Sequence, residues 1–285
     1  MKNLDLQIDE IIDLALTEDL GQGDVTTEAL IPGDQRGVGS IVAKERGILA
    51  GLEIAKKVFY RVDPGLSVDA FLQDGAEVEL GKAIAKVEGK VASILKAERV
   101  ALNFLQRLSG IASETNRYVK LVNGLPVRIL DTRKTTPSLR LLEKHAVKMG
   151  GGENHRMNLG DGILIKDNHL AALRCRGLSI KDIVSMARQN NPRRLKVEVE
   201  AKTIEEAMEA ADAGADIVML DNMSLDDMRQ AVKAIQRHAL IEASGGVTLD
   251  KVRAIAETGV DFISVGALTH SARALDLGLD IVSLE

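Results

Sequence analysis

From Val127 onward the chain repeats one unit, a short apolar segment followed by a helical one. The segments are VRIL (127–130), GILI (162–165), LKVEVE (195–200), DIVML (216–220), LIEA (240–243) and DFISV (261–265). Strands separated by helices pair in parallel, because each helix returns the chain to the edge from which the last strand started. Helix start signals lie between them: Thr136 ahead of Pro137, Thr203 with Glu206 as a capping box, and Ser224 with Asp227 in a similar arrangement. Six such units without a long insertion predict a closed or nearly closed α/β barrel. The count falls short of eight, so an incomplete barrel and an open sheet both fit.

The part before Val127 has another rhythm. Residues 7–19 read as an amphipathic helix stopped at Gly21. Residues 36–95 carry short apolar runs between turns such as Asp74-Gly75 and Glu88-Gly89, the pattern of strands and hairpins. Residues 93–121 return to helical spacing, as one long helix or two short ones.

In a parallel barrel the chemistry gathers where the strands end. The first strand is followed by Asp131, Thr132, Arg133 and Lys134, and the second by Lys166, Asp167, Asn168 and His169. The third ends at Glu200, and Asp221 and Asn222 follow the fourth. The last two lead into Ser244-Gly245-Gly246 and Val265-Gly266-Ala267. Each of these two stretches is expected to lead into a helix and to cradle a phosphate, since bare backbone N–H groups can approach its oxygens. Glu200 and Asp221, at neighbouring strand ends, are candidates to hold Mg²⁺ directly or through water, or to accept from sugar hydroxyls; ion pairs with Lys166 or Lys134 are the structural alternative. Glu198 is set aside because its strand ends at Glu200.

One stretch, DTRKTTPSLRLLEKHAVKMGGGENHR (131–156), concentrates cations in a chain whose formal charge is -5. Its helix, Pro137 to Met149, is expected to bury Leu139, Leu142, Ala146 and Met149 and to expose Arg140, Lys144 and Lys148. Arg133 and Arg156 are candidates to grip a carboxylate through paired N–H bonds, with His155 as a further donor. His145 and His169 are read as structural. Aromatic residues make up 2% and there is no Trp, so stacking platforms for single-stranded nucleic acid are missing. The acidic balance argues against a duplex binder, and the local positive charge points to a small anion. No run of 18 apolar residues predicts a membrane span, and the first residues lack the basic-then-apolar order of a signal peptide. Cys175 is the single cysteine, which excludes an intrachain disulfide or a cysteine zinc cluster. It lies between Arg174 and Arg176 and is read as structural or neutral. The expected compartment is the cytosol.

The long stretch 131–169, together with EDLGQGDVTTEAL, ERVALNFLQRLSGIA, DIVMLDNM, IEASGGV and GVDFISVGALTHS, resembles the quinolinate phosphoribosyltransferase family over nearly the whole chain. The resemblance implies an α/β and α+β fold: an N-terminal α/β sandwich domain, taken as residues 1–112, and an incomplete parallel α/β barrel, taken as 113–285, whose last residues pack back on the first domain. It implies phosphoribosyl transfer from 5-phosphoribosyl-1-pyrophosphate to quinolinate, with Mg²⁺, loss of CO₂ and formation of nicotinate mononucleotide on the route to NAD. It further implies a homodimer, or a higher oligomer, in which Arg99 crosses to the partner's site. Arg99, Thr132, Arg133, His155 and Arg156 are then expected around quinolinate. Lys134 and Lys166 are expected at the pyrophosphate, Glu200 and Asp221 at the ribose and metal, and the two glycine-containing loops at the 5′-phosphate. Neither nucleic acid nor membrane is an expected partner. The alternatives are a same-fold phosphoribosyltransferase with another acceptor, a Schiff-base lyase using Lys166 or Lys134, and a non-catalytic phosphosugar-binding protein.

Overall fold

In the computed structural model, which describes residues 4–236 and 238–284, the two rhythms of the sequence become two units. The elements before the barrel are α1 (Leu4–Leu20), α2 (Val25–Leu30), β1 (Arg36–Ala43), β2 (Gly47–Ile48), α3 (Leu52–Val62), β3 (Ser67–Ala70), β4 (Glu77–Val78), β5 (Ala83–Lys90) and α4 (Val91–Leu121). Then come β6 (Arg128–Leu130), α5 (Arg140–Met149), β7 (Ile163–Ile165), α6 (Asp167–Arg174), α7 (Ile180–Gln189), β8 (Val197–Ala201) and α8 (Ile204–Asp212). The chain ends with β9 (Ile217–Asp221), α9 (Leu225–Ile235), β10 (Leu240–Ser244), α10 (Val252–Ala256), β11 (Phe262–Ser264), α11 (Ala267–His270) and β12 (Leu277–Leu284).

One unit comprises residues up to 116, 136–151 and those from 271. Its four-stranded sheet has the order β12-β1-β5-β3, and every pair is antiparallel. Burial alternates along β1, as expected for a sheet with one face on a core. The helical spacing of 93–121 is one helix, α4; Ile94, Ala97, Ala101, Leu105, Leu108 and Ile111 form its buried stripe. The C-terminal β12 pairs with β1, so the last strand is part of this sheet.

The 136–151 segment, expected within the barrel, groups with this first unit. Its helix also starts later than expected, at Arg140 with Leu139 as N-cap, because Thr136 is otherwise engaged. The backbone N–H and the hydroxyl of Thr136 both donate to the Glu143 carboxylate, at 3.0 and 2.7 Å. Arg107 of α4 donates to the same carboxylate at 2.8 Å. Gly150 closes the helix against α4 so tightly that a Cβ there would collide with the Ala112 carbonyl oxygen. The expected solvated stripe is wrong at Lys144, which is 0% exposed beside the equally buried Glu143. Four-residue spacing identified one face of the helix but not which face would be covered.

The second unit, residues 117–135 and 152–270, holds the six parallel strands in the order β6-β11-β10-β9-β8-β7. The sheet curls through four sequential neighbours and β6 joins β11, leaving β6 and β7 as unpaired ends. That is an incomplete barrel. Beside β6 the gap is occupied by the segment at Glu153, which bridges Leu130 through Asp131 N–H to Glu153 O (3.1 Å) and Glu153 N–H to Ile129 O (2.8 Å). The helices begin on the caps read from sequence: Glu206 N–H donates to the Thr203 hydroxyl at 3.2 Å, and Asp227 N–H to the Ser224 hydroxyl at 3.1 Å. The Thr203 cap is not a reciprocal box, because Glu206 accepts instead from Lys202 N–H and Arg174. Among the described residues no helix is long and apolar enough to cross a membrane.

Candidate active site

Strand alternation builds the interior of the barrel. Val197, Val199 and Ala201 of β8 turn outward, so Glu198 and Glu200 turn inward; Met219 and Asp221 of β9, and Glu242 and Ser244 of β10, follow the same rule. Register stacks these side chains in layers, with Glu200, Met219 and Glu242 level and Asp221, Ser244 and Ser264 one step nearer the C-terminal end. At that end lies a cavity of about 820 Å³, within the size of a small-molecule site.

The cavity is lined by Thr132, Arg133, Lys134, His155, Arg156, Lys166, Glu200, Asp221, Ser244, Gly245, Gly246, Gly266 and Ala267. These are all of the residues expected at the site except Arg99 and Val265. Arg99 is exposed on α4 in the other unit. Val265 is buried, and its N–H is given to Leu130 O at 2.9 Å, so it is a strut beneath the loop.

The cationic wall begins at β6. Buried Asp131 accepts from Asn154 Nδ2 (2.6 Å) and from His155 N–H (2.9 Å), which pins the segment carrying His155 and Arg156 beside Arg133. Arg156 donates through Nη1 to Gly162 O at 3.0 Å. Burial lowers its pKa from the ordinary guanidinium value, and the neighbouring Arg133 charge lowers it further. Two guanidiniums so placed favour an anion between them. The His155 ring is turned to protein partners: Nδ1 accepts Arg156 N–H at 2.8 Å and Nε2 faces Glu198 Oε2 at 3.1 Å.

The opposite wall is acidic. Glu200 is 8% exposed; burial pushes its carboxyl up, Lys166 opposes the rise, and Asp221 and Asp167 add to it. Lys166 Nζ stands 3.6 Å from Glu200 Oε2. Its own backbone N–H is held by His169 Nδ1 at 3.0 Å, which makes His169 part of the helix start. His145 pairs with Asp74 in the first unit at 3.0 Å.

The two glycine-containing loops lie between these walls. The expectation that each leads into a helix fails at the first. Gly245 and Gly246 take φ of 93° and 59°, outside the helical region, and α10 starts only at Val252. The cradle there is loop backbone. A Cβ on Gly245 would strike the Asn222 side chain, so glycine is required both by φ and by space. Gly266 does lead into α11, and the Lys134 stem lies over it. Lys134 O also accepts from the Thr269 hydroxyl at 2.8 Å.

Sequence reasoning missed Asn222, Thr248, Ser264 and His270, which also line the cavity; Glu198, set aside as a site residue, is absent from that lining but turns into the barrel below it. The signal for Glu198 was present. A V-E-V-E run in a parallel strand places two acids on one face, where ordinary parallel strands are apolar throughout.

The family profile "Quinolinate phosphoribosyl transferase, C-terminal domain" matches residues 111–280, and the N-terminal domain profile of the same family matches 24–109. A probable nicotinate-nucleotide pyrophosphorylase [carboxylating] of Bacillus subtilis is 43% identical over 276 residues, covering 97% of this chain and 94% of that relative. Quinolinate phosphoribosyltransferase [decarboxylating] 2b, mitochondrial, of Nicotiana tabacum is 44% identical over 288 residues, covering 95% of this chain and 81% of the relative. Among solved structures, NadC from Streptococcus pyogenes superposes with a TM-score of 0.94 at 41% identity and covers 100% of both chains.

Proposed function

The chain belongs to the quinolinate phosphoribosyltransferase family, and from that premise we infer that it transfers phosphoribosyl from 5-phosphoribosyl-1-pyrophosphate to quinolinate, releasing pyrophosphate and CO₂ and forming nicotinate mononucleotide for NAD synthesis. The observation that carries this reading is the division of one cavity into a two-arginine wall, a lysine–carboxylate wall and a glycine cradle. Those three parts match the three charged portions of the two substrates.

Arg133 and Arg156 take the quinolinate carboxylates, supported by their mutual proximity and by the forked geometry that suits a carboxylate. Thr132 and His155 complete that wall. The partner copy's Arg99 is the remaining grip, in a homodimer with shared sites. Ser244, Gly245, Gly246, Gly266 and Ala267 take the 5′-phosphate through backbone N–H groups. Glu200 and Asp221 face the ribose hydroxyls. Their oxygens, at adjacent strand ends, are also the donor set that Mg²⁺ prefers, and the like charges that push Glu200 up would be relieved by a cation. The bound ion would offset charge on the pyrophosphate.

In the transfer, the ring nitrogen forms a bond to C1′ as the bond from C1′ to pyrophosphate breaks. Lys134 and Lys166 stabilise the charge collecting on the leaving group, and the carboxylates stabilise the electron-poor ribose. The quaternised ring nitrogen then stabilises the electron pair left at C2 when CO₂ departs, and that pair takes up a proton from water. The protein's contribution is positioning and fixed charge. Lys134→Ala and Lys166→Ala are each expected to lower kcat by about two to four orders of magnitude with unchanged circular dichroism. The deciding experiment mixes the protein with quinolinate, 5-phosphoribosyl-1-pyrophosphate and Mg²⁺. Equal yields of labelled CO₂ and nucleotide, with nicotinate inert as acceptor, support the reading; nucleotide formed from nicotinate without CO₂ overturns it.

A further inference from the structure

Beneath the cavity, toward the N-terminal ends of the strands, lies a feature the reaction does not use. Glu198 on β8 and Glu242 on β10 point into the barrel, 5% and 0% exposed. With the His155 ring they bring one nitrogen and two carboxylate oxygens within 4.8 Å of one another. His155 Nε2 is 3.1 Å from Glu198 Oε2 and 3.7 Å from Glu242 Oε2. Glu242 Oε1 accepts the Ser264 hydroxyl at 2.5 Å. Glu198 Oε1 and Glu242 Oε2, both buried, have no hydrogen-bond partner. They border a second cavity of about 310 Å³.

A nitrogen and two carboxylates at this spacing would suit a divalent cation, but the other side of the imidazole decides against one. A ring that ligates through Nε2 carries its proton on Nδ1. Here Nδ1 accepts Arg156 N–H at 2.8 Å, so a proton on Nδ1 would face another proton. The same bond excludes the imidazolium. His155 is therefore neutral with its proton on Nε2, and that proton is directed at Glu198.

We propose that Glu242 is a positioning residue for the substrate pocket: a neutral carboxylic acid behind His155 that, together with the Glu198 carboxyl, holds the imidazole in its Nε2–H form and leaves Nδ1 to anchor the Arg156 backbone. Two buried carboxylates so close to one another and to a neutral ring cannot both ionise cheaply, and one retains a proton. Burial pushes the Glu242 carboxyl up to about 8 and the Glu198 charge adds to the rise; the Ser264 hydroxyl and Lys166 oppose it, as would a charge on His155, which the neutral ring does not carry. The groups facing Glu242 are Glu198 from β8, His155 from the segment beside β6, Lys166 beyond β7 and Ser264 from β11. The residue opposite it on β9 is Met219, which does not titrate. Arg128, Glu153, Asp161 and Lys196 line the same lower cavity. When Glu242 ionises, a further negative charge appears directly under the wall that holds Arg156. Resting on the reading that this wall binds the quinolinate dianion, the geometry points to a quinolinate affinity that declines as Glu242 ionises.

The test has two arms, both on the full chain. Long-range ¹H–¹⁵N correlation spectra across pH 6–10, with His155 assigned by its absence in His155→Gln, read the ring directly. The expected result is an Nε2–H tautomer that never becomes an imidazolium, with a small step near pH 8 that disappears in Glu242→Gln. In Ser264→Ala the step moves upward, because the lost hydroxyl no longer supports the carboxylate. A ring that titrates as an ordinary imidazolium overturns the proposal. So does a step that persists in Glu242→Gln, or conversion to Nδ1–H on adding Zn²⁺. In the second arm, KM for quinolinate rises on the order of tenfold from pH 7 to 9.5 in the wild type and stays level in Glu242→Gln, while KM for 5-phosphoribosyl-1-pyrophosphate follows the same course in both. Parallel quinolinate profiles in the two proteins overturn the link to binding. A wild type that forms no nucleotide from quinolinate defeats the functional reading alone, and the spectra still decide the state of His155.

Discussion

Asn222 holds a left-handed backbone, φ 56°, immediately after the Asp221 carboxylate. Asn tolerates this region better than most residues, and here its side chain has two tasks. Nδ2 donates to Asp221 Oδ1 at 2.9 Å, and the amide fills the space that a Cβ on Gly245 would need. One residue thus links the carboxylate proposed for ribose and metal to the loop proposed for phosphate. Asn222→Gly keeps the φ and removes the amide. It is expected to lower kcat/KM for 5-phosphoribosyl-1-pyrophosphate about tenfold with little change in Tm, since a hydrogen bond to a charged group contributes roughly 1.5–3 kcal/mol. An unaltered kcat/KM in steady-state assays would remove Asn222 from the site. Nothing in the dipeptide Asp221-Asn222 foretold this, because the partner loop is distant in sequence.

At the scale of elements, helix starts divide into those written locally and those completed from afar. Thr203 and Ser224 cap their own helices and were legible as such. The start of α3 was not. Its N-cap, Gly51, has φ 95° and no side chain to offer, and the first N–H groups are taken by Asp74, which accepts from Gly51 N–H at 2.9 Å and Leu52 N–H at 3.0 Å. His145 of α5 meets the same carboxylate. Burial pushes the Asp74 pKa up, but His145 and the two N–H groups outweigh it and hold the carboxyl below its ordinary value. A depressed folded-state pKa contributes stability that is present above the unfolded value and lost as pH falls through the folded one. Asp74→Asn is therefore expected to lower stability near pH 7 by about 1–3 kcal/mol, read from urea midpoints, with the gap to wild type closing on acidification below pH 4. In sequence, Asp74-Gly75 reads as a turn, which it is, and the capping role is silent.

For the whole molecule, the cavity gathers expected residues from all six strand ends, but neither Val265, which lies buried beneath its loop, nor Arg99, which is exposed in the other unit. In a homodimer with shared sites, Arg99→Ala and Lys134→Ala damage different copies' contributions to one site. Mixing the two inactive variants, with exchange of subunits, is expected to restore about a quarter of wild-type turnover, because half of the dimers are mixed and each has one intact site. Activity that stays at the parental level after exchange is verified by mass would count against shared sites.

The strand–helix repeat, the polar strand ends and the glycine-containing loops depend on short-range periodicity and turn chemistry, so they could be read locally from the sequence by itself: six parallel strands, and most of the residues that line the cavity at their C-terminal ends. The direction of burial lay outside its reach. Lys144 and Lys148 share a spacing, yet only Lys144 is covered; Glu198 and Glu200 share a strand face, yet one lies under His155 and the other beside Lys166. Those outcomes were decided by tertiary structure. Whether a charge meets water, a partner or another charge depends on chain brought in from tens of residues away, and only closing the sheet and packing α5 on α4 sets that neighbourhood.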